Sequence, residues 1–178
     1  MAEGGIETKE ETRQSQVEIV DIISEEYRVH WLQIEQLPKI LKRGIYSPKF
    51  ARRIGDIEYK PRRTSWDEHY VHTTEPFGSF GEDRVSVIFK GAKNRRRIAP
   101  RKFIGVCVWD NVFRLQELED ELRQREYTET LELVDQIRIL LANAGIDLPI
   151  YGTSGDLYWP ERMSHEEIVM LVEKKNEI

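Results

Sequence analysis

The apolar positions of this chain change period as they are read from the N-terminal side. Tyr27 to Leu32 is an extended apolar run around His30, after which Ile34, Leu37, Ile40 and Leu41 recur at helical spacing. Lys42 and Arg43 fall in the last turn of that helix and Gly44 lies just beyond it. The pattern predicts a strand running into a short helix, which starts near Gln36 or Leu37 because Pro38 is tolerated only in a first turn. Residues 47–66 read as a long, basic, irregular connection with one helical turn at 49–54. Three strands are expected at Tyr70–Thr74, Val85–Phe89 and Phe103–Trp109, the first two β-branched and bounded by turn residues. Val112, Leu115, Leu118 and Leu122 mark one helical stripe, and Leu131, Val134, Ile137, Leu141 and Ala144 a second that stops at Gly145. Helices are accordingly expected at 112–126 and 129–144.

The last quarter offers Pro149-Ile150-Tyr151, a turn at Gly152 to Gly155, and the extended run Asp156 to Pro160. Ser164 and Glu167 have capping-box spacing, and the β-rich run Ile168 to Val172 behind them predicts one helical turn and then a final strand. The expected fold class is α+β, a small central pair of β-sheets flanked by helices. Val29, Ile88, Val106, Leu157 and Val169 are its expected core.

The chain's 178 residues suit a single core, preceded by a polar, aperiodic tail at residues 1–16 and occupying 17–178. The lone Cys107 lies in an apolar run, which excludes an internal disulfide and favours a buried strand position over a nucleophile. No apolar stretch nears the roughly 20 residues that span a bilayer, and the acidic start is unlike a secretory leader, so a cytoplasmic location is expected. The net charge of −5 hides an uneven distribution. Cations crowd residues 39–63 against only Asp56 and Glu58, and a second cluster follows at Lys93, Arg95, Arg96, Arg97, Arg101 and Lys102. Such stretches suit a surface for the phosphates of a dinucleotide or a nucleic acid, or an ordinary solvated face.

Several chemistries drop out. His69 and His72 lie three apart, which on an extended chain aims them at opposite faces, and no third ligand has a motif spacing, so no metal site is expected. Gly78-Ser79-Phe80-Gly81 lacks the Lys-Ser/Thr of a P-loop, and there is no Gly-x-Ser-x-Gly elbow.

Three blocks carry a resemblance. Val29 to Ile45, with His30 on the strand and Leu37-Pro38-Lys39-Ile40-Leu41-Lys42-Arg43-Gly44 on the helix, resembles the opening of DarT-type DNA ADP-ribosyltransferases. Gly55 to Arg63 followed by His69-Tyr70-Val71 is similar to that family's Asp-Ile-x-x-x-Arg-Arg element and the strand after it. Asp156 to Ile168 resembles its last block, a strand opening on the catalytic Glu, then Pro and a turn. The blocks stand in the family's order. Gln33 occupies the place of a second His, Gln36 that of an Asn, and Asp156 that of the Glu.

The resemblance implies an ADP-ribosyltransferase-like fold and an NAD-dependent transferase of toxin or phage kind, releasing nicotinamide and modifying a macromolecule such as a DNA base. It implies NAD as the substrate cofactor and, for a DNA-modifying toxin, a macrodomain-type antitoxin as partner. The site residues carried over are Asp156, Arg62 and Arg63 as the catalytic set, with His30, Gln33, Gln36, Tyr46 and Tyr70 around NAD. The chemistry is consistent with these types. A carboxylate steadies the oxocarbenium-like sugar, a planar Arg fork meets the pyrophosphate, and an aromatic ring meets the nicotinamide. The alternative is a non-catalytic domain on the same fold that binds nucleic acid or a protein.

Overall fold

In the structure, a computed structural model, residues 17–21, 26–55, 71, 73, 84–91, 95–110 and 119–178 are described. They form strands β1 (Tyr27–Leu32), β2 (Ile45–Tyr46), β3 (Val85–Lys90), β4 (Arg97–Ile98), β5 (Phe103–Val108), β6 (Ile150–Gly152) and β7 (Leu157–Trp159). The helices among them are α1 (Leu37–Arg43), α2 (Pro48–Arg53), α3 (Asp120–Ala144) and α4 (His165–Asn176). A 3-10 turn at Ile34–Gln36 leads into α1.

The main sheet has five strands in the order β1-β3-β5-β6-β7. The pairs β1–β3, β3–β5 and β6–β7 are antiparallel, while β5 and β6 run parallel and are joined by the long crossover through α3. A parallel pair needs such a crossover because a tight turn can only reverse the chain. Helices cover both faces, which is why β3 reads as a near-continuous apolar run. On one face Val85, Val87, Val106, Val108 and Ile150 pack under Leu37 and Leu41 of α1 and Val134, Ile137 and Leu141 of α3. On the other, Val29, Trp31, Ile88, Cys107, Tyr151 and Leu157 pack under Ile168 of α4, with Ile19 and Val20 alongside.

β2 and β4 make a separate two-stranded sheet, pairing Ile45 with Ile98 and Tyr46 with Arg97. Gly44 makes this joint possible. Its φ is 87°, and a Cβ there would land on the carbonyl oxygen of Ile98, so only glycine lets the end of α1 run against β4.

The α+β class and the expected strands at β1, β3 and β5 hold, as do α1 and the stop of α3 at Gly145, whose φ of 65° is left-handed. Two expectations do not. Residues 120–144 form one unbroken helix where a break near 127–128 was expected, because Glu126, Tyr127 and Thr128 include neither Gly nor Pro to end it. Residues 168–172 are helical, within α4, where a final strand was expected. The reciprocal Ser164–Glu167 capping box nucleates the helix, and burial of Ile168 on the sheet outweighs the β-branched side chains. Val169 is consequently only half-buried, and Ile168 takes its place in the core.

Candidate functional site

Of the residues proposed for NAD chemistry, Arg62, Arg63 and Tyr70 lie outside the described residues, as do most of the strand expected at Tyr70–Thr74 and the histidines His69 and His72. The others are dispersed. His30 is half-buried on β1, opposite Val87 of β3. Gln33 and Gln36 frame the 3-10 turn: the Gln33 amide donates to Gln36 Oε1 at 3.2 Å. Gln33 also lines a cleft of about 370 Å³ between that turn and α3. Tyr46 lies on the small sheet, its ring stacked on Phe50 at 5.3 Å, with the Arg97 guanidinium 5.3 Å from the ring centre. Its hydroxyl donates to the Arg43 carbonyl at 2.7 Å.

Asp156 does not share a cleft with His30. It precedes β7, and β3, β5 and β6 stand between that strand and β1, a span of about 19 Å at the usual interstrand spacing. Its carboxylate is already engaged. Oδ1 accepts from the His165 amide at 3.1 Å, and Oδ2 accepts from Arg162 at 3.4 Å. This is a carboxylate at the N-terminus of α4, where the helix dipole and an orphan amide both favour negative charge.

Next to it lies a polar cluster whose spacing along the chain, more than forty residues, hid it from sequence reading. Asp110 follows β5, Thr153 and Ser154 follow β6, and the parallel pairing of those strands brings the two loops together. Thr153 N–H donates to the Val108 carbonyl at 2.9 Å, continuing the ladder. The Asp110 carboxylate, in a residue only 2% exposed, accepts from Thr153 Oγ1 (2.9 Å), Ser154 N (3.3 Å), Ser154 Oγ (2.6 Å) and the Tyr158 hydroxyl (3.2 Å). A Cβ at Gly152 would collide with Asp110 Oδ2. Burial, then the neighbouring Asp110 charge, push the Tyr158 phenol up from its ordinary range. The Arg162 guanidinium lies over the Tyr158 ring at 4.0 Å. With four donors on two oxygens the carboxylate is saturated, so the cluster acts as a latch between the β5 and β6 ends. Cys107 is fully buried on β5 and burial raises its thiol pKa, as a structural cysteine's should be.

The second concentration of polar chemistry faces outwards. Lys39, Lys42, Arg43, Lys49, Arg52 and Arg53 come from α1 and α2, while Arg95, Arg96, Arg97, Arg101 and Lys102 come from around β4; neither stretch, 37–55 or 95–102, contains an Asp or Glu. The β2–β4 ladder and the Ser47 amide, which donates to the Arg96 carbonyl at 2.8 Å, join them into one face. All but the half-buried Lys39 are exposed. Among the described residues, Arg96, Arg101 and Lys102 have no carboxylate partner. The Tyr46–Phe50 stack lies within this face.

No family model, curated protein or solved structure matches the chain. No group of three potential metal-ligating side chains occurs among the described residues, and no helix among them is long and apolar enough to cross a membrane.

Proposed function

We propose that this chain is a nucleic-acid-binding domain that holds a phosphate backbone on the cationic face of α1, α2, β2 and β4. The observation that carries the reading is the β2–β4 pairing, which merges two acid-free basic stretches into one surface on a chain whose net charge is −5. Cations crowded together on an otherwise acidic protein repel one another, a cost that a bound polyanion relieves by releasing its counterions. Tyr46, Phe50 and Arg97 add planar groups of the kind on which unpaired bases stack. Titrating a fluorescent single-stranded oligonucleotide at several salt concentrations tests this. Affinity should fall steeply and linearly on a log–log scale, with or without NAD; binding insensitive to salt would refute it.

A second reading adds catalysis to that binding: NAD-dependent transfer of ADP-ribose to the bound nucleic acid. It is supported by the order of the three resembling blocks and by the β1–turn–α1 unit, whose boundaries Tyr27–Leu32 and Leu37–Arg43 follow the resemblance. In that reaction the bond from the ribose anomeric carbon to nicotinamide breaks, nicotinamide leaves, and the acceptor's nucleophile bonds to that carbon. Asp156 is poorly placed to stabilise this sugar beside His30, so the reading needs NAD to approach the β7 edge or another carboxylate to serve. Labelled NAD incubated with the protein and nucleic acid separates the cases. Release that is lost in Asp156→Asn supports transfer with this acid, and release unchanged in that variant removes Asp156 from the chemistry. With no release at all, the binding domain alone stands.

A further inference from the structure

The 3-10 turn, the start of α1 and α3 frame an opening that the nucleic-acid-binding reading does not use. The cleft of about 370 Å³ that Gln33 lines continues into a shallower groove of about 340 Å³, and Ile34, Glu35 and Gln136 belong to both. Its chemistry changes along α3. The cleft end carries Glu129 and Glu132, with Glu35 at the junction, and the groove end carries Pro38, Ile139 and Leu140. Glu129 is shared between Arg84 at 3.5 Å and Arg125 at 3.0 Å, whereas Glu35 and Glu132 are exposed and make no ion pair among the described residues. Ile139 is 60% exposed, a large aliphatic side chain left in water beside a concave apolar wall.

We propose that this cleft and groove dock a basic amphipathic helix of a partner protein. Unpaired carboxylates next to an exposed aliphatic patch call for an apolar side chain and a cation on one face of the ligand. The spacing specifies the ligand further. Glu132 and Ile139 are seven residues apart on α3, about 10.5 Å along its axis. A helix lying alongside α3 with an apolar residue at one position and Lys or Arg seven positions away meets both. Phosphate backbones are repelled here, which separates this surface from the cationic face. Residues 1–16 of the chain do not suit it, since Glu3, Glu7, Glu10 and Glu11 outnumber Lys9 and Arg13.

The probe is a fluorescent fifteen-residue Leu/Lys amphipathic helix, titrated into the full chain and followed by anisotropy. A Leu/Glu helix and a Leu/Lys peptide with its apolar face scrambled serve as comparisons. The Leu/Lys helix should bind and the other two should not. Glu35→Lys with Glu132→Lys should weaken binding at least roughly tenfold, and Ile139→Asp by a similar factor, since both an ion pair and an apolar anchor are lost. Glu161→Lys, a single reversal of the same kind at an exposed site by α4, should leave binding as it was. All these positions are exposed, and thermal melts of the variants check that they fold. The proposal is overturned if Glu161→Lys weakens binding by half or more of the effect of the paired Glu35→Lys and Glu132→Lys change on a free-energy scale, if Ile139→Asp binds normally, or if the comparison peptides bind equally well. It is also overturned if sedimentation shows a dimer that Ile139→Asp dissociates, since the groove then belongs to a second copy.

Discussion

The cationic face and the Asp110 latch are both dense in polar groups, yet they solve opposite problems. In the latch every lone pair of a buried carboxylate is met by a donor from the same chain, and the residue is shut away from water. On the cationic face the charges project outwards and the two stretches supply no acid of their own. A satisfied buried network fixes structure, because it has no valence left for a ligand. An outward-facing array of charges tolerates solvent and is available to a polyanion. The contrast also places Asp156. Tied to Arg162 and the His165 amide, it lies on the latch side of that divide.

The largest expected effect is at the latch. Asp110→Ala removes the acceptor for Thr153, Ser154 and Tyr158, leaving buried donors unmet, and should cost about 3 kcal/mol in urea denaturation. Gly152→Ala should be destabilising too, because its Cβ collides with the same carboxylate. If either variant is as stable as the parent, the cluster is free for another role. Next is the cationic face. Replacing Arg53, Arg96 and Arg101 together by Ala should lower single-stranded oligonucleotide affinity by about ten- to a hundredfold at 0.1 M salt and reduce the log–log salt slope by about 2. Thermal stability should stay unchanged, since exposed substitutions of this kind seldom matter to folding.

Asp156→Asn gives a smaller effect, about 0.5–1 kcal/mol in thermal or urea unfolding. It keeps an acceptor for the His165 amide while removing the charge that favours Arg162 and the N-terminus of α4. A loss well beyond that would show that Asp156 holds more of the fold than its contacts indicate. The smallest effect is a pH dependence at α4. Hydrogen bonds from the Ser164 amide and hydroxyl hold the Glu167 carboxyl below its ordinary range. Its contribution to stability is therefore present above the unfolded-state pKa and is lost as pH falls through the lowered folded value. Thermal melts of Glu167→Gln compared with the parent over that acidic window should show the parent's extra loss, and parallel curves would contradict the assignment.

Local signals were legible wherever one residue's chemistry decided an outcome. Pro38 in a first turn and Gly44 and Gly145 beyond helix ends bounded α1 and α3, and Ser164 with Glu167 opened α4. Largely apolar runs located β1, β3 and β5, because a strand covered on both faces keeps few polar positions to alternate with. Residue composition misjudged 168–172. There β-propensity points one way while a cap and a single buried contact at Ile168 point the other, and packing wins.

What the chain determined by itself was thus the identity of most elements, the buried state of Cys107 and the existence of two basic stretches. Tertiary structure decided which elements became neighbours. Strand order placed His30 and Asp156 at opposite edges of the sheet, and β2–β4 pairing, which needs Gly44, fused the basic stretches into one face. Parallel pairing of β5 with β6 carried Asp110 to Thr153, Ser154 and Tyr158, more than forty residues away. Periodicity and capping are read within a few residues, whereas strand partnership depends on the burial of whole faces and leaves no mark in the spacing of the residues it joins.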